Sequence, residues 1–220
     1  MTTLREQLEF YDSTGGSLLR QLRRDQPRDY ADFVDVFYAD LEDLIGLMEG
    51  DAKDLMSASE DFLNRELVRL LNARSYIASH DHDEGGHVDI HVKPGNRLFT
   101  WLGEAKLDNG PEYILAGLHQ LTKRYARGTA GHNCGGVLVY FQKDRCSERF
   151  AAWRERLKVG EVDNFEQLVV QDCNGRSGLT FQSDFVLNRI GCLAPKYQVR
   201  HIAVSLYRPA SASAQTGVLA

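Results

Sequence analysis

HVDIHVKPGNRLFTWLGEAK, residues 87–106, decides how the rest of the chain is read. Residues 87–92 alternate polar and apolar, the period of a strand with one face buried. Pro94-Gly95-Asn96 is a turn signal and residues 98–107 read as a second strand, so the two form a hairpin. On the first strand Asp89 points away from the face that carries Val88, Ile90 and Val92. On the second, Glu104 and Lys106 share a face, whereas Trp101, Gly103 and Ala105 lie on the other. A carboxylate on one strand thereby meets a carboxylate and an ammonium on its neighbour. Two carboxylates in one place repel, and burying them is costly unless positive charge stands between them. Lys106 supplies one such charge, and a hard divalent cation that prefers oxygen ligands, such as Mg2+, suits the remainder. A solvated strand face is the other reading of the same residues.

Upstream, residues 59–72 have helical periodicity, with Leu63, Leu67, Leu70 and Leu71 inside a sector of about 100°. Glu60 falls within that sector and Glu66 at its edge, and a carboxylate on a core-facing stripe needs a partner. Gly85-Gly86 allows backbone to approach a ligand closely. Residues 30–48 form a longer amphipathic run through Phe33, Val36, Phe37, Leu41, Leu44, Ile45 and Met48, with Gly50 as its C-cap. Leu4, Leu8 and Tyr11, then Leu18, Leu19 and Leu22, give two shorter helical groups.

Downstream, Asn109-Gly110-Pro111 closes the hairpin, and Pro111 suits the first turn of a helix reaching to about residue 127. On that helix Gln120 lies opposite the stripe of Ile114, Leu115, Leu118, Leu121 and Tyr125 and shares a face with Ala116, Gly117 and Arg124. Either that small-residue face packs toward the acids or Gln120 is a surface residue. Residues 128–136 form a glycine-rich loop, and 137–141 an unbroken apolar run suited to a central strand covered on both faces. A charged helix over 147–158 and a β-rich end that includes 168–170 and 202–206 complete an α/β order. Residues 1–55 read as a helical extension, 56–208 as one domain and 209–220 as a flexible tail.

The 220 residues, 43% apolar and 26% charged, are those of a folded globular chain and not a disordered one. No window reaches the ~20 apolar residues of a membrane helix. The charged start, MTTLREQLEF, lacks an apolar signal core, so a cytoplasmic location is expected. Lys and Arg number 26 against 31 Asp and Glu, a net charge of -5, which argues against a generally basic nucleic-acid coat but leaves room for a local groove. Cys134, Cys146, Cys173 and Cys192 contain no Cys-x-x-Cys, so four reduced thiols are expected. His80, His82, His87 and His91 are close in sequence, but no further pair completes a zinc set; strand alternation places His87 and His91 beside Asp89.

Cations cluster at Lys123, Arg124 and Arg127, again at Arg145, Arg149, Arg154, Arg156 and Lys158, and at Arg20, Arg23, Arg24 and Arg28. The first cluster is favourable at a helix C-terminus in its own right; were the substrate a nucleic acid, the first two are where its phosphate backbone would lie. Phosphate-binding, dinucleotide-binding and serine-hydrolase motifs are absent.

The ordered set Glu60, Gly86-His-Val-Asp89-Ile, Gly103-Glu-Ala-Lys106, a helix with Gln120-Leu and the strand at 137–141 resembles the PD-(D/E)XK nuclease superfamily. It is similar especially to bacterial members that read acid–Leu-Asn, Gly-x-x-Asp-Ile, Glu-Cys-Lys and Gln-Leu, and Leu71-Asn72 and Gly110 fall at fitting intervals. The resemblance spans residues 59–142. It implies a restriction-endonuclease-like core, a mixed central sheet flanked by helices, and Mg2+-dependent hydrolysis of phosphodiester bonds in which Mn2+ can substitute. By the same resemblance Asp89 and Glu104, with the carbonyl of Ala105, hold the metal, and Glu60 completes the coordination directly or through water. Lys106 positions the attacking water and steadies charge on the phosphate, and Gln120 joins the catalytic set. Val88 stands where proline is usual and Ala105 where cysteine is, neither contributing a side chain to the chemistry. The implied substrate is DNA, in a restriction, repair or anti-phage setting. A protein partner or second copy would dock through the N-terminal helices if residues 30–48 expose their apolar face. The alternative is a catalytically silent module that keeps the fold as a scaffold.

Overall fold

In the computed structural model, residues 18–83, 87–126, 129, 131–159, 165–187 and 196–209 are described, together with Thr3, Glu6 and Phe10. The helices are α1 (Leu18–Asp25), α2 (Tyr30–Gly50), α3 (Ala52–Leu55), α4 (Glu60–Ala73), α5 (Pro111–Gln120) and α6 (Cys146–Val159). The strands are β1 (Ile77–Ser79), β2 (His82–Asp83), β3 (His87–Val88), β4 (Ile90–Lys93), β5 (Trp101–Leu107), β6 (Cys134–Phe141), β7 (Phe165–Gln171), β8 (Thr180–Leu187) and β9 (Tyr197–Ser205).

Every residue of β6 is buried, as its apolar run requires. It lies at the centre of a mixed seven-stranded sheet of order β1-β4-β5-β6-β9-β8-β7, parallel to β5 and β9, while the outer strands are antiparallel. α5 makes the crossover from β5 to β6. One face of the sheet packs Ile90, Trp101, Ala105, Leu138 and Ile202 against α2 and α4, through Phe33, Phe37, Leu41, Leu63 and Leu67. The other packs Leu102, Val137, Val139, Phe185 and Val199 against α5 and α6, through Ile114, Leu118, Phe150 and Trp153. The result is three layers with two cores, an α/β architecture.

Trp101 fixes the middle of the first core. Its indole lies across the backbones of Gly103 and Gly136, where an added Cβ would stand 2.6 and 2.4 Å from the ring. Its Nε1 donates to the Tyr38 hydroxyl at 3.2 Å, so the polar edge of a fully buried ring is satisfied.

The helical extension read from residues 1–55 is part of the body in its described portion. Phe33, Phe37, Leu41, Leu44, Ile45 and Met48 of α2 are buried in the first core, so that apolar face is covered and not offered to a partner. Arg20, Arg23, Arg24 and Arg28 serve the same packing. Asp40 is fully buried and takes two hydrogen bonds from Arg24, at 2.6 and 2.9 Å, one from the Tyr76 hydroxyl at 2.7 Å and an ion pair from Arg20. Asp32 takes Arg23 and Arg28. α2 runs through Gly50 and is capped at Asp51, not at the glycine.

Two other expectations change. The alternation over 87–92 is not one strand: the chain bends at Asp89, β3 pairs with β2, and β4 pairs with β1 and β5. Val88 therefore turns into the second core while Ile90 and Val92 enter the first. The strand expected from residue 98 begins at Trp101. The helix expected to continue to residue 127 widens into a π turn at Leu121–Tyr125, where the Thr122 hydroxyl bonds back to the Leu118 carbonyl at 2.8 Å. The helical group of Leu4, Leu8 and Tyr11, Gly85-Gly86, Arg127, Cys192 and residues 210–220 lie outside the described residues. Among the described residues no helix is long and apolar enough to cross a membrane.

Candidate functional site

Strand β4 begins at Ile90, opposite Gly103, so β5 continues past Gly103 with no strand on that edge among the described residues. Backbone N–H groups left there need partners. Asp89, at the bend, accepts from the Ala105 N–H through Oδ2 at 3.0 Å. Glu60, the first residue of α4, accepts from the Leu107 N–H through Oε2 at 2.7 Å. Two carboxylates thus replace the missing strand. In a ladder the N–H and C=O of one residue leave on the same side, so the Ala105 carbonyl also faces this edge.

Glu104 and Lys106 project from the face of β5 that meets α5. Glu104 is fully buried; Lys106 Nζ donates to its Oε1 at 2.6 Å and stands 3.5 Å from both Glu60 Oε1 and Asp89 Oδ2. α5 comes this close because Gly117 has no side chain: a Cβ there would lie 2.9 Å from Lys106 Cγ and 3.4 Å from Glu104 Cγ. Of the small-residue face, Gly117 packs on the acids, whereas Ala116 and Arg124 are exposed. Gln120 stands half-buried further along, and no hydrogen bond joins it to the other four among the described residues. Glu66 is bound to Arg69, at 2.9 and 2.5 Å, and takes no part.

The electrostatics follow from burial. Loss of water, and then the neighbouring Asp89 charge, push the Glu104 carboxyl up to about 8 against the opposing pull of Lys106. Burial alone would lower Lys106, but Glu104, Asp89 and Glu60 more than reverse this and hold it charged. Three carboxyl groups therefore share one ammonium, and the second oxygen of Glu104, Oε2, is buried without a hydrogen-bond partner. A buried oxygen without a partner, beside two further carboxyl groups, is a place that a cation would complete. The residues fit Mg2+: Asp89, Glu104 and the Ala105 carbonyl are hard oxygen donors, and Mg2+ keeps several waters and needs few protein ligands. Among the described residues no three His, Cys, Asp or Glu form a metal-holding group.

A cleft of about 290 Å³ opens on this edge, lined by Glu60, Asp61, Asn64 and Arg65 of α4, with His80 and Asp89 opposite. The histidine beside the acids is His80, not His87 or His91. Its Nδ1 lies 2.7 Å from the Asp89 carbonyl and its Nε2 2.8 Å from Asp61 Oδ1. His87 instead pairs with Asp81 at 2.7 Å, and His91 is buried on β4. No periodicity marked His80, which directly follows β1, the strand that runs beside β4.

The expected cationic track is largely engaged. Arg149 pairs with Asp108, Arg154 with Asp172, Arg156 with Glu112 and Lys158 with Glu155. Arg124 is exposed past the end of α5. A second pair of catalytic type, Ser183 and His201, is enclosed in the other core and serves packing. Trp153 Nε1 donates to His201 Nδ1 at 3.2 Å, so Nε2 carries the proton toward Ser183 Oγ and does not act as its base. Burial pushes His201 down to about 3. Cys134, Cys146 and Cys173 are free thiols.

No protein-family model, curated protein or solved structure matches the chain.

Proposed function

We propose that the chain is a Mg2+-dependent nuclease of the PD-(D/E)XK type, cleaving phosphodiester bonds in DNA from the cytoplasm, in a restriction, repair or anti-phage setting. The observation that carries this reading is the unpartnered, fully buried Glu104 Oε2 beside Asp89, with Lys106 against them. Asp89, Glu104 and the Ala105 carbonyl would hold the cation, with Mn2+ able to replace it. The cation would lower the pKa of a water beside it and offset charge on the phosphate. Lys106 is fixed by Glu104 and Glu60, which orients its ammonium toward the vacated edge of β5, where it would align the attacking water and bind a phosphate oxygen. Glu60 and Asp89 are anchored by strand amides, so the acids are preorganised. Gln120 is a weaker member of the set, entering only if bound nucleic acid reaches it.

A second reading has its own observation. Asp89 and Glu60 already complete the edge of β5, work that a silent scaffold would also require. Cleavage of supercoiled plasmid, linear duplex and single-stranded DNA with Mg2+, Mn2+ or EDTA separates the two. Metal-dependent cutting by the wild type, lost in a folded Lys106→Ala variant, is expected. No cutting together with no Mn2+ binding by calorimetry would favour the scaffold.

A further inference from the structure

Asp89 belongs to neither of the ladders beside it. β3 ends at Val88 on its pairing with β2, and β4 starts at Ile90 on its pairings with β1 and β5. A residue at such a bend has no strand to fix its backbone, yet this one carries a carboxylate of the candidate metal site. Its carbonyl is met by the ring of His80 at 2.7 Å. A carbonyl only accepts, so Nδ1 donates. A carboxylate likewise accepts, so the far nitrogen, Nε2, donates to Asp61 on the first turn of α4 at 2.8 Å, and the ring carries a proton on each nitrogen. The ring is only 16% exposed, and Asp61 is steadied from its other oxygen by Arg65 at 3.1 Å. α4 also holds the strand before the histidine: Asn72 accepts from the Ala78 N–H at 3.0 Å and donates to its carbonyl at 2.9 Å. One helix thus grips the Asp89 bend through His80 and the end of β5 through Glu60.

We propose that His80 is a positioning residue for the divalent cation, acting through Asp89, with Asp61 as its anchor. This rests on the metal-site reading above and adds to it a residue outside the acid and lysine set. The carboxylate of Asp89 is held at one end by the Ala105 N–H and its backbone at the other by His80, so the side chain is fixed between two points. Without the ring the bend keeps only the first, and the carboxylate moves relative to Glu104. Partners that orient a ligating carboxylate are worth about 10- to 100-fold in metal affinity when removed.

The test is Mn2+ binding by calorimetry on the full chain. His80→Ala is expected to weaken binding about 10- to 100-fold while the chain stays folded. His80→Gln, whose amide can still donate to the Asp89 carbonyl, is expected to recover most of that loss. Asp61→Ala, at a half-exposed position that folding tolerates, is expected to weaken binding about 3- to 10-fold, as loss of an anchor one step further away. Trp153→Phe, which loses a hydrogen bond in the opposite core, controls for general destabilisation and is expected to bind as the wild type does. Equal affinity in wild type and His80→Ala overturns the positioning role, as does an equal loss in Trp153→Phe. A wild type that binds no Mn2+ overturns the metal site itself and this role with it.

Discussion

Replacing Glu104 by glutamine asks whether the buried acid is held neutral. Burial, then Asp89, push its carboxyl from its ordinary value near 4.5 to about 8. A group whose folded value lies above its unfolded value binds its proton more tightly when folded. The stability it contributes is complete below about pH 4.5 and lost as pH rises through about 8. At about 1.4 kcal/mol per pH unit, that interval bounds the loss at about 5 kcal/mol; water entering from the cleft and reorientation of Lys106 reduce it to about 2–4 kcal/mol. Glutamine copies the neutral acid in shape and charge, since its carbonyl accepts from Lys106, and it does not titrate. Lys106, held above its ordinary range, adds no slope in this window. Urea unfolding in EDTA between about pH 5 and about pH 9 is therefore expected to show similar stabilities at the acid end. At the alkaline end the variant should be the more stable by about 2–4 kcal/mol. Parallel curves, with the wild type falling no faster than the variant, would refute the reasoning.

Other substitutions probe the frame around the site. Gly117→Ala puts a methyl 2.9 Å from Lys106 Cγ. The helix-propensity gain of about 1 kcal/mol offsets the crowding, so urea unfolding should shift by less than about 1 kcal/mol. The proposed cleavage should nevertheless fall by about tenfold or more, and unchanged cleavage would place Lys106 outside the reaction. Asp40→Asn leaves Arg24 without its carboxylate, while Arg20 keeps Asp43 at 2.9 Å, and is expected to cost about 3–5 kcal/mol at neutral pH. Burial would raise Asp40, but Arg24 and Tyr76 hold it below the usual carboxylate range. Its contribution is thus present above the unfolded value and lost as pH falls through the folded one, so the gap between variant and wild type should narrow in acid. Gly136→Ala drives a Cβ to 2.4 Å from the Trp101 ring and 3.3 Å from the Arg200 carbonyl. A loss of about 2 kcal/mol or more with a shifted tryptophan emission is expected, and a wild-type melting curve would show that the ring moves freely.

Periodicity carried much of the fold. The unbroken run at 137–141 marked the central strand, and the spacing of leucines over 59–72 placed Glu60 near Lys106, while Glu66 turned to Arg69. What periodicity hid was the bend at Asp89. Val88-Asp89-Ile90 alternates without a flaw, and only pairing with β2 shows that Val88 enters the opposite core. β8 carried a readable signal, since Phe181, Ser183 and Phe185 alternate with Gln182 and Asp184, and Asp184, buried on the other face, is held by Gln171 and Gln182. His80 was unreadable for another reason. It lies between elements, where no period exists, and its two partners come from α4 and from a strand break. For the N-terminal arginines the sequence shows a cluster of charge, but not that Asp32 and Asp40 lie beneath it.

The uncovered edge of β5 has a consequence outside chemistry. An exposed row of strand amides is a template on which another chain can add itself, the first step toward aggregation. Here the Ala105 and Leu107 amides are already occupied by Asp89 and Glu60, so an incoming strand would have to displace two carboxylates to find a donor. An incoming strand therefore finds no free donor at Ala105 or Leu107, and the two carboxylates that complete this edge also guard it against edge-to-edge pairing.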